Sequence, residues 1–243
     1  MKIDTQELQN VAAAHAPRVD LYAGIHKALR ALMADTLLAV GRMDTGDELE
    51  LVQTTQRVVE LLDFCRSHLA HENEHVHTAM EARAPGASAA IAHEHEEHER
   101  HIAELGGLAI ALRTTPHPDR AGAAQALYRS LALFIADNFH HMHVEETAHN
   151  AVLWARYTDA ELIAIHGALV ASIPPDEMMF TLRWLVPFMN PAERLDLLSG
   201  MQANAPAPAF QAALDTVRPY LTTAEWAKLA RGLGLAIVPG LAE

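Results

Sequence analysis

The sequence predicts an all-α protein, an antiparallel up-down-up-down four-helix bundle followed by a helical C-terminal subdomain, and three observations carry that prediction. Apolar residues make up 50% of the 243-residue chain but aromatics only 5%, a composition that suits close-packed helices better than aromatic and β-branched strands. Apolar positions recur every seven residues through four long stretches of the first 157 residues. Turn chemistry separates those stretches at Gly41 to Gly46, at Ala84-Pro85-Gly86 and at Thr114 to Asp119.

The first helix is expected from about Pro17 to Met43, the second from Asp47 to Arg83, the third from Ala87 to Arg113 and the fourth from Arg120 to Trp154. Connections this short make neighbouring helices antiparallel. From residue 158 the texture changes. Shorter amphipathic stretches begin at Thr158-Asp159, Pro174-Pro175-Asp176, Asn190-Pro191, Ala207-Pro208 and Thr222-Thr223, each with a capping side chain or a first-turn proline. The expected organisation is a bundle over 1–157 and a helical subdomain over 158–243, packed on the bundle or on a second copy of the chain.

Charge and cysteine content narrow the function classes. Asp and Glu number 31 against 18 Lys and Arg, a formal charge of −13 and the wrong sign for a nucleic-acid partner. No segment reaches the roughly 18 uncharged apolar residues of a membrane span. The single cysteine, Cys65, allows neither an intrachain disulfide nor a cysteine-based zinc ribbon. With a polar N-terminus, Met1-Lys2-Ile3-Asp4-Thr5-Gln6-Glu7, these features lead to the expectation of a cytoplasmic protein.

Histidine is the unusual count: 16 in all, most of them between residues 68 and 149. They interrupt the apolar stripe rather than decorate the solvent face. In the first helix Val19, His26, Met33 and Val40 recur at seven-residue spacing, and in the second Val58, Leu61, Leu62 and Cys65 lead into His68 and Glu72 before Val76 resumes the line. The third carries Ile91, His98, Leu105 and Leu112, with Glu94 beside His98. The fourth carries Leu127, Phe134, His141 and Ala148, with Leu131, Asn138, Glu145 and Val152 running parallel. At 1.5 Å per residue from approximate turn centres, His26, His68, His98 and His141 reach one height in the bundle.

Unpaired ionisable groups in a core cost several kcal/mol each, so a metal centre is the simplest way to satisfy them. Spacing of i and i+4 puts His68 with Glu72, Glu94 with His98, and His141 with Glu145 on common helix faces. Imidazole and carboxylate without thiolate suit iron, manganese or zinc, and a carboxylate spanning two ions suits a dinuclear site. The third helix leaves alternatives open, because Glu97 with His101 has the same spacing and His95 or His71 could supply a ligand.

These residues resemble the hemerythrin-like (HHE cation-binding) family over roughly residues 15 to 155. The match is His26-Lys27-Ala28-Leu29-Arg30, then His68-Leu69-Ala70-His71-Glu72, then Glu97-His98-Glu99-Arg100, then His141-Met142-His143-Val144-Glu145-Glu146. The resemblance implies a non-haem centre of two iron ions; the His/Glu ligand chemistry also admits zinc, nickel or manganese as substitutes. Glu72 and Glu145 would bridge, and His26, His68, His98 and His141 would be terminal ligands. Oxygen-carrying hemerythrins have a His-xxx-His pair in the third helix where this chain has Glu94-xxx-His98, and an aspartate one residue beyond the position of Glu145. More carboxylate should hold ferric iron more firmly, which shifts weight from reversible oxygen carriage to sensing O2, NO, iron or redox status.

Two other readings compete. Ferritin-like di-iron carboxylate proteins use Glu-xx-His on two helices, and Glu72-xx-His75 and Glu146-xx-His149 supply that spacing; the first helix, however, offers only Asp20 and Asp35 as the acids nearest His26. A di-iron oxidase or peroxidase would use the same ligands for turnover. The expected partner is a small diatomic ligand, O2 or NO, and the chain could form a homo-oligomer.

Overall fold

The computed structural model describes Gln6 and residues 18–235. The expected helix start at Pro17 and the end of the chain beyond residue 235 lie outside the described residues. Helix α1 spans Ala23–Arg42. Asp20 starts it, its side-chain oxygen accepting from the backbone N–H groups of Tyr22 and Ala23. Asp47 caps α2, Glu48–His71, accepting from Leu49 and Glu50 N–H as an N-cap aspartate should. That helix passes through a π turn, Glu72–His77, into α3, Thr78–Arg83. Gly86 turns the chain with φ +83°, a conformation open to glycine at little cost. Helix α4 then runs Ala89–Thr114.

Helix α5, His117–Val144, starts ahead of the expected Arg120 because Pro118 is accommodated in the first turn, where its missing N–H costs nothing. A second π turn, Glu145–His149, leads into α6, Asn150–Arg156. Helices α1, α2, α4 and α5 pack as neighbours in that order, and α5 packs back on α1, which closes the four-helix ring. Its main core joins Leu29, Leu32, Leu61, Leu62, Ile102, Leu105, Leu127 and Leu131. Burying each of these side chains stabilises the fold by about 1.5–3 kcal/mol.

The remaining helices start where the capping chemistry places them. They are α7, Asp159–Ser172; α8, Pro175–Leu185; α9, Pro191–Asn204; α10, Ala207–Val217; and α11, Thr223–Gly232. Thr158, Asn190 and Thr222 each form a reciprocal capping box with the glutamate three residues on. Leu182, Val186, Leu198, Phe210, Leu214, Val217 and Leu229 form a core of their own. Apolar contacts tie this part to the bundle: Trp184 enters the main core, and Leu162 joins Tyr22, Val76, Met80 and Leu153 in a small third core. Among the described residues there is no strand, and no helix is long and apolar enough to cross a membrane.

Candidate metal centre

Five of the seven candidate residues meet in the bundle. His26 Nε2 lies 3.6 Å from Glu72 Oε1 and 3.4 Å from Glu145 Oε2, and His68 Nε2 lies 3.2 Å from Glu72 Oε1. On the other side, His95 Nε2 lies 3.6 Å from both Glu72 Oε2 and Glu145 Oε1, while His141 Nε2 lies 3.3 Å from Glu145 Oε1. Two groups that could each hold a metal ion result: His26, His68, Glu72 and Glu145, and Glu72, His95, His141 and Glu145. Each carboxylate turns one oxygen to each group.

The donor atoms fit cations. His26 Nε2, His68 Nε2 and all four carboxylate oxygens of Glu72 and Glu145 are buried without a hydrogen-bond partner, a costly state unless a cation fills the space between them. His95 Nε2 and His141 Nε2 stand 3.1 Å apart, near the spacing of about 3 Å for two imidazoles that each lie about 2.1 Å from one ion. The outer ring nitrogens are engaged. Glu146 holds His26 Nδ1 at 2.9 Å, Asn73 holds His95 Nδ1 at 2.8 Å, and Glu94 holds His141 Nδ1 at 2.8 Å. Such partners fix the tautomer that leaves Nε2 free to ligate.

Without a metal, protons occupy the positive positions. Burial opposes charge on His26, but the hydrogen bond to Glu146 and the carboxylates of Glu72 and Glu145 outweigh it and raise its pKa to about 9. His141 reaches about 9 in the same way, with Glu145 and Glu94 overcoming burial. Burial and the neighbouring Glu145 charge push Glu72 up to about 8, and burial followed by the charge of His26 holds His68 well below the usual imidazole range.

A family model, the hemerythrin HHE cation-binding domain, matches residues 18–149. The chain belongs to this family. No curated protein and no solved structure matched it.

Within this HHE domain the structure separates two candidates from the cluster. Glu94 faces the outer nitrogen of His141 and so positions that ring instead of facing the centre. His98 is buried, but its Nε2 pairs with Asp137 Oδ2 at 3.0 Å and its ring stands edge-on to His141. His95 occupies the place at the centre. The physical reason is the π turn after Glu72, which packs an extra residue into a helical turn through i→i+5 bonding. A height count at constant rise therefore overshoots on the second helix, and the true level on the third helix lies one turn earlier, at His95. Of the alternatives left open, His101 is exposed and His71 turns toward Glu177. The ferritin-like pairing is not assembled, because Glu146 pairs with Arg30 and His75 with Ser172.

The π turns also bring in two histidines that sequence reasoning left outside the centre. His77, Glu145 and His149 form a third group able to hold an ion. On the fourth helix the seven-residue series moves on by one after Glu145, so that His149 and Leu153 are buried while Ala148 is exposed and Val152 only half-buried. An Ala-His and a Val-Leu step read equally well in either register, which is why the series hid the shift. The crowding of histidine after each His-xxx-Glu motif was the one available signal.

Proposed function

We propose that this chain is a non-haem di-iron protein that binds or senses O2 or NO, or reports iron or redox status. The observation that carries the reading is the division of the Glu72 and Glu145 oxygens between two ligand groups, the arrangement of carboxylates shared by two ions. When bound, a ferrous pair supplies reducing electrons and coordination positions for a small ligand. The protein's own contribution is enclosure and orientation. His26, Glu72, His95, His141 and Glu145 are all buried, so the space suits a diatomic molecule and excludes a larger substrate. Glu94, Asn73 and Glu146 keep the imidazoles aimed inward.

The C-terminal helices are positioned to follow a change at the centre. Lys27, next to His26, reaches Glu193 of α9 at 2.6 Å, and Ser67, next to His68, reaches Glu177 of α8 at 2.5 Å. We take residues 158–243 as the output side of a sensor whose metal domain spans 1–157. A buried lone cysteine, its thiol pushed by burial up to about 12, suits a reducing cytoplasmic setting. The carboxylate sharing also supports an oxidase or peroxidase reading, since hydrogen peroxide is small enough for the same enclosure.

Metal analysis of untagged protein from iron-replete cells is the test. About two irons per chain and stoichiometric, reversible NO or O2 binding support the sensor. Steady turnover of peroxide or ferrous iron favours the enzyme, and a single zinc or no metal overturns both.

A further inference from the structure

We propose a third cation position in this bundle, formed by His77, His149 and Glu145 where the two π turns face each other. It rests on the dinuclear reading, because it shares Glu145 with that site, but it adds residues and an ion that the pair does not require. The three ligand atoms lie within 4.8 Å of one another. His77 is 5% and His149 4% exposed. Both ring nitrogens of His77 lack a hydrogen-bond partner, although a buried imidazole ordinarily engages at least one. Its ring stacks on that of His95 at 4.9 Å and meets His149 edge-on at 5.5 Å.

His149 is oriented as a ligand. Tyr22 Oη lies 3.2 Å from His149 Nδ1, and a Nδ1–H donated to that hydroxyl leaves Nε2 with its lone pair free. This is the same division of labour seen at His26, His95 and His141, whose outer nitrogens are also engaged. The hydroxyl belongs to a fully buried tyrosine at the start of α1, so an element outside the two π turns fixes the ring.

The chemistry selects a borderline divalent cation: two imidazoles and one carboxylate suit ferrous, cobaltous or zinc ions and not calcium or magnesium. Each carboxylate oxygen has two lone pairs, so Glu145 can serve this position and the pair together. Having only one carboxylate, and that one shared, the third position should fill last.

Anaerobic titration of the metal-free full-length chain with cobalt(II), read by absorption and calorimetry, tests the assignment. The expected result is three ions per chain, the last bound at least ten-fold more weakly. His77→Gln and His149→Gln should each stop at two ions with the first two unchanged. Tyr22→Phe should weaken only the third ion, by about ten-fold, and it decides the matter if a histidine variant fails to fold. Saturation at two ions overturns the proposal while leaving the dinuclear reading in place. Weakening of the first two ions by His77→Gln or His149→Gln also overturns it, making these residues ligands of the pair. Binding that His141→Ala leaves intact would instead sink the dinuclear reading and this inference with it.

Discussion

The two ends of the helical bundle use the same seam positions for opposite purposes. Toward the turns at residues 43–47 and 115–116, the inward positions hold Leu51, Val58, Leu61, Leu105, Leu112, Leu127 and Leu131, all buried. Toward the other end the corresponding positions hold His26, Glu72, His95, His141 and Glu145, equally buried and with several polar atoms unpartnered. One end stabilises the fold through apolar burial. The other buries polar atoms without hydrogen-bond partners, a cost that a bound cation would relieve. A single helix pattern thus supplies an apolar half and a half whose buried His and Glu groups could hold metal ions.

The largest break in this contrast should come from Glu145, which belongs to all three candidate groups. Glu145→Ala is expected to remove both ions of the pair, with metal per chain falling below one by elemental analysis, while circular dichroism stays helical. A fall in pH is next. His26 and His141 titrate near 9, so both carry protons at neutral pH that ligation must displace. Their folded pKa values are raised, so affinity should fall as pH drops below 9, by about ten-fold per pH unit for each proton displaced. Proton release on adding ferrous ion, followed with an indicator in weak buffer, checks the sign.

At the apolar end, Leu131→Ala should cost about 2–5 kcal/mol in metal-free and loaded protein alike, with metal content unchanged; chemical denaturation of both forms measures this. A metal loss as severe as that of Glu145→Ala would dissolve the distinction between the ends. Glu94→Gln, which loosens only the outer hold on His141, should weaken one ion by about ten-fold or more. His98→Ala should change the metal count least of all, because Asp137 and not the centre engages its Nε2. Loss of the pair in that variant would return His98 to the ligand set in place of His95.

The helical fold was readable because it is local: Asp47, Thr158, Asn190 and Thr222 cap the helices they precede. His26, His68, Glu72, His141 and Glu145 were readable because each interrupts an apolar series. The choice of His95 over His98, and the burial of His77 and His149, was not, because two π turns break the constant period on which such reading depends. Glu94 was found by spacing, yet only the fold shows that it faces His141 Nδ1. The tie through Trp184 was likewise hidden, since a tryptophan in an amphipathic helix names its own core and not a neighbour's.

The enclosure of the centre has a consequence in time. His26 and Glu145 are wholly covered, and Glu72, His95 and His141 nearly so, which leaves half-buried His68 as the group member nearest solvent. Exchange of a cation held there would require the helices around it to open, a local-unfolding process slower than diffusion. Whatever ion is captured as the bundle closes will outlast changes in the surrounding supply that are faster than those openings. A reporter of iron status built in this way would average the supply over the interval between openings.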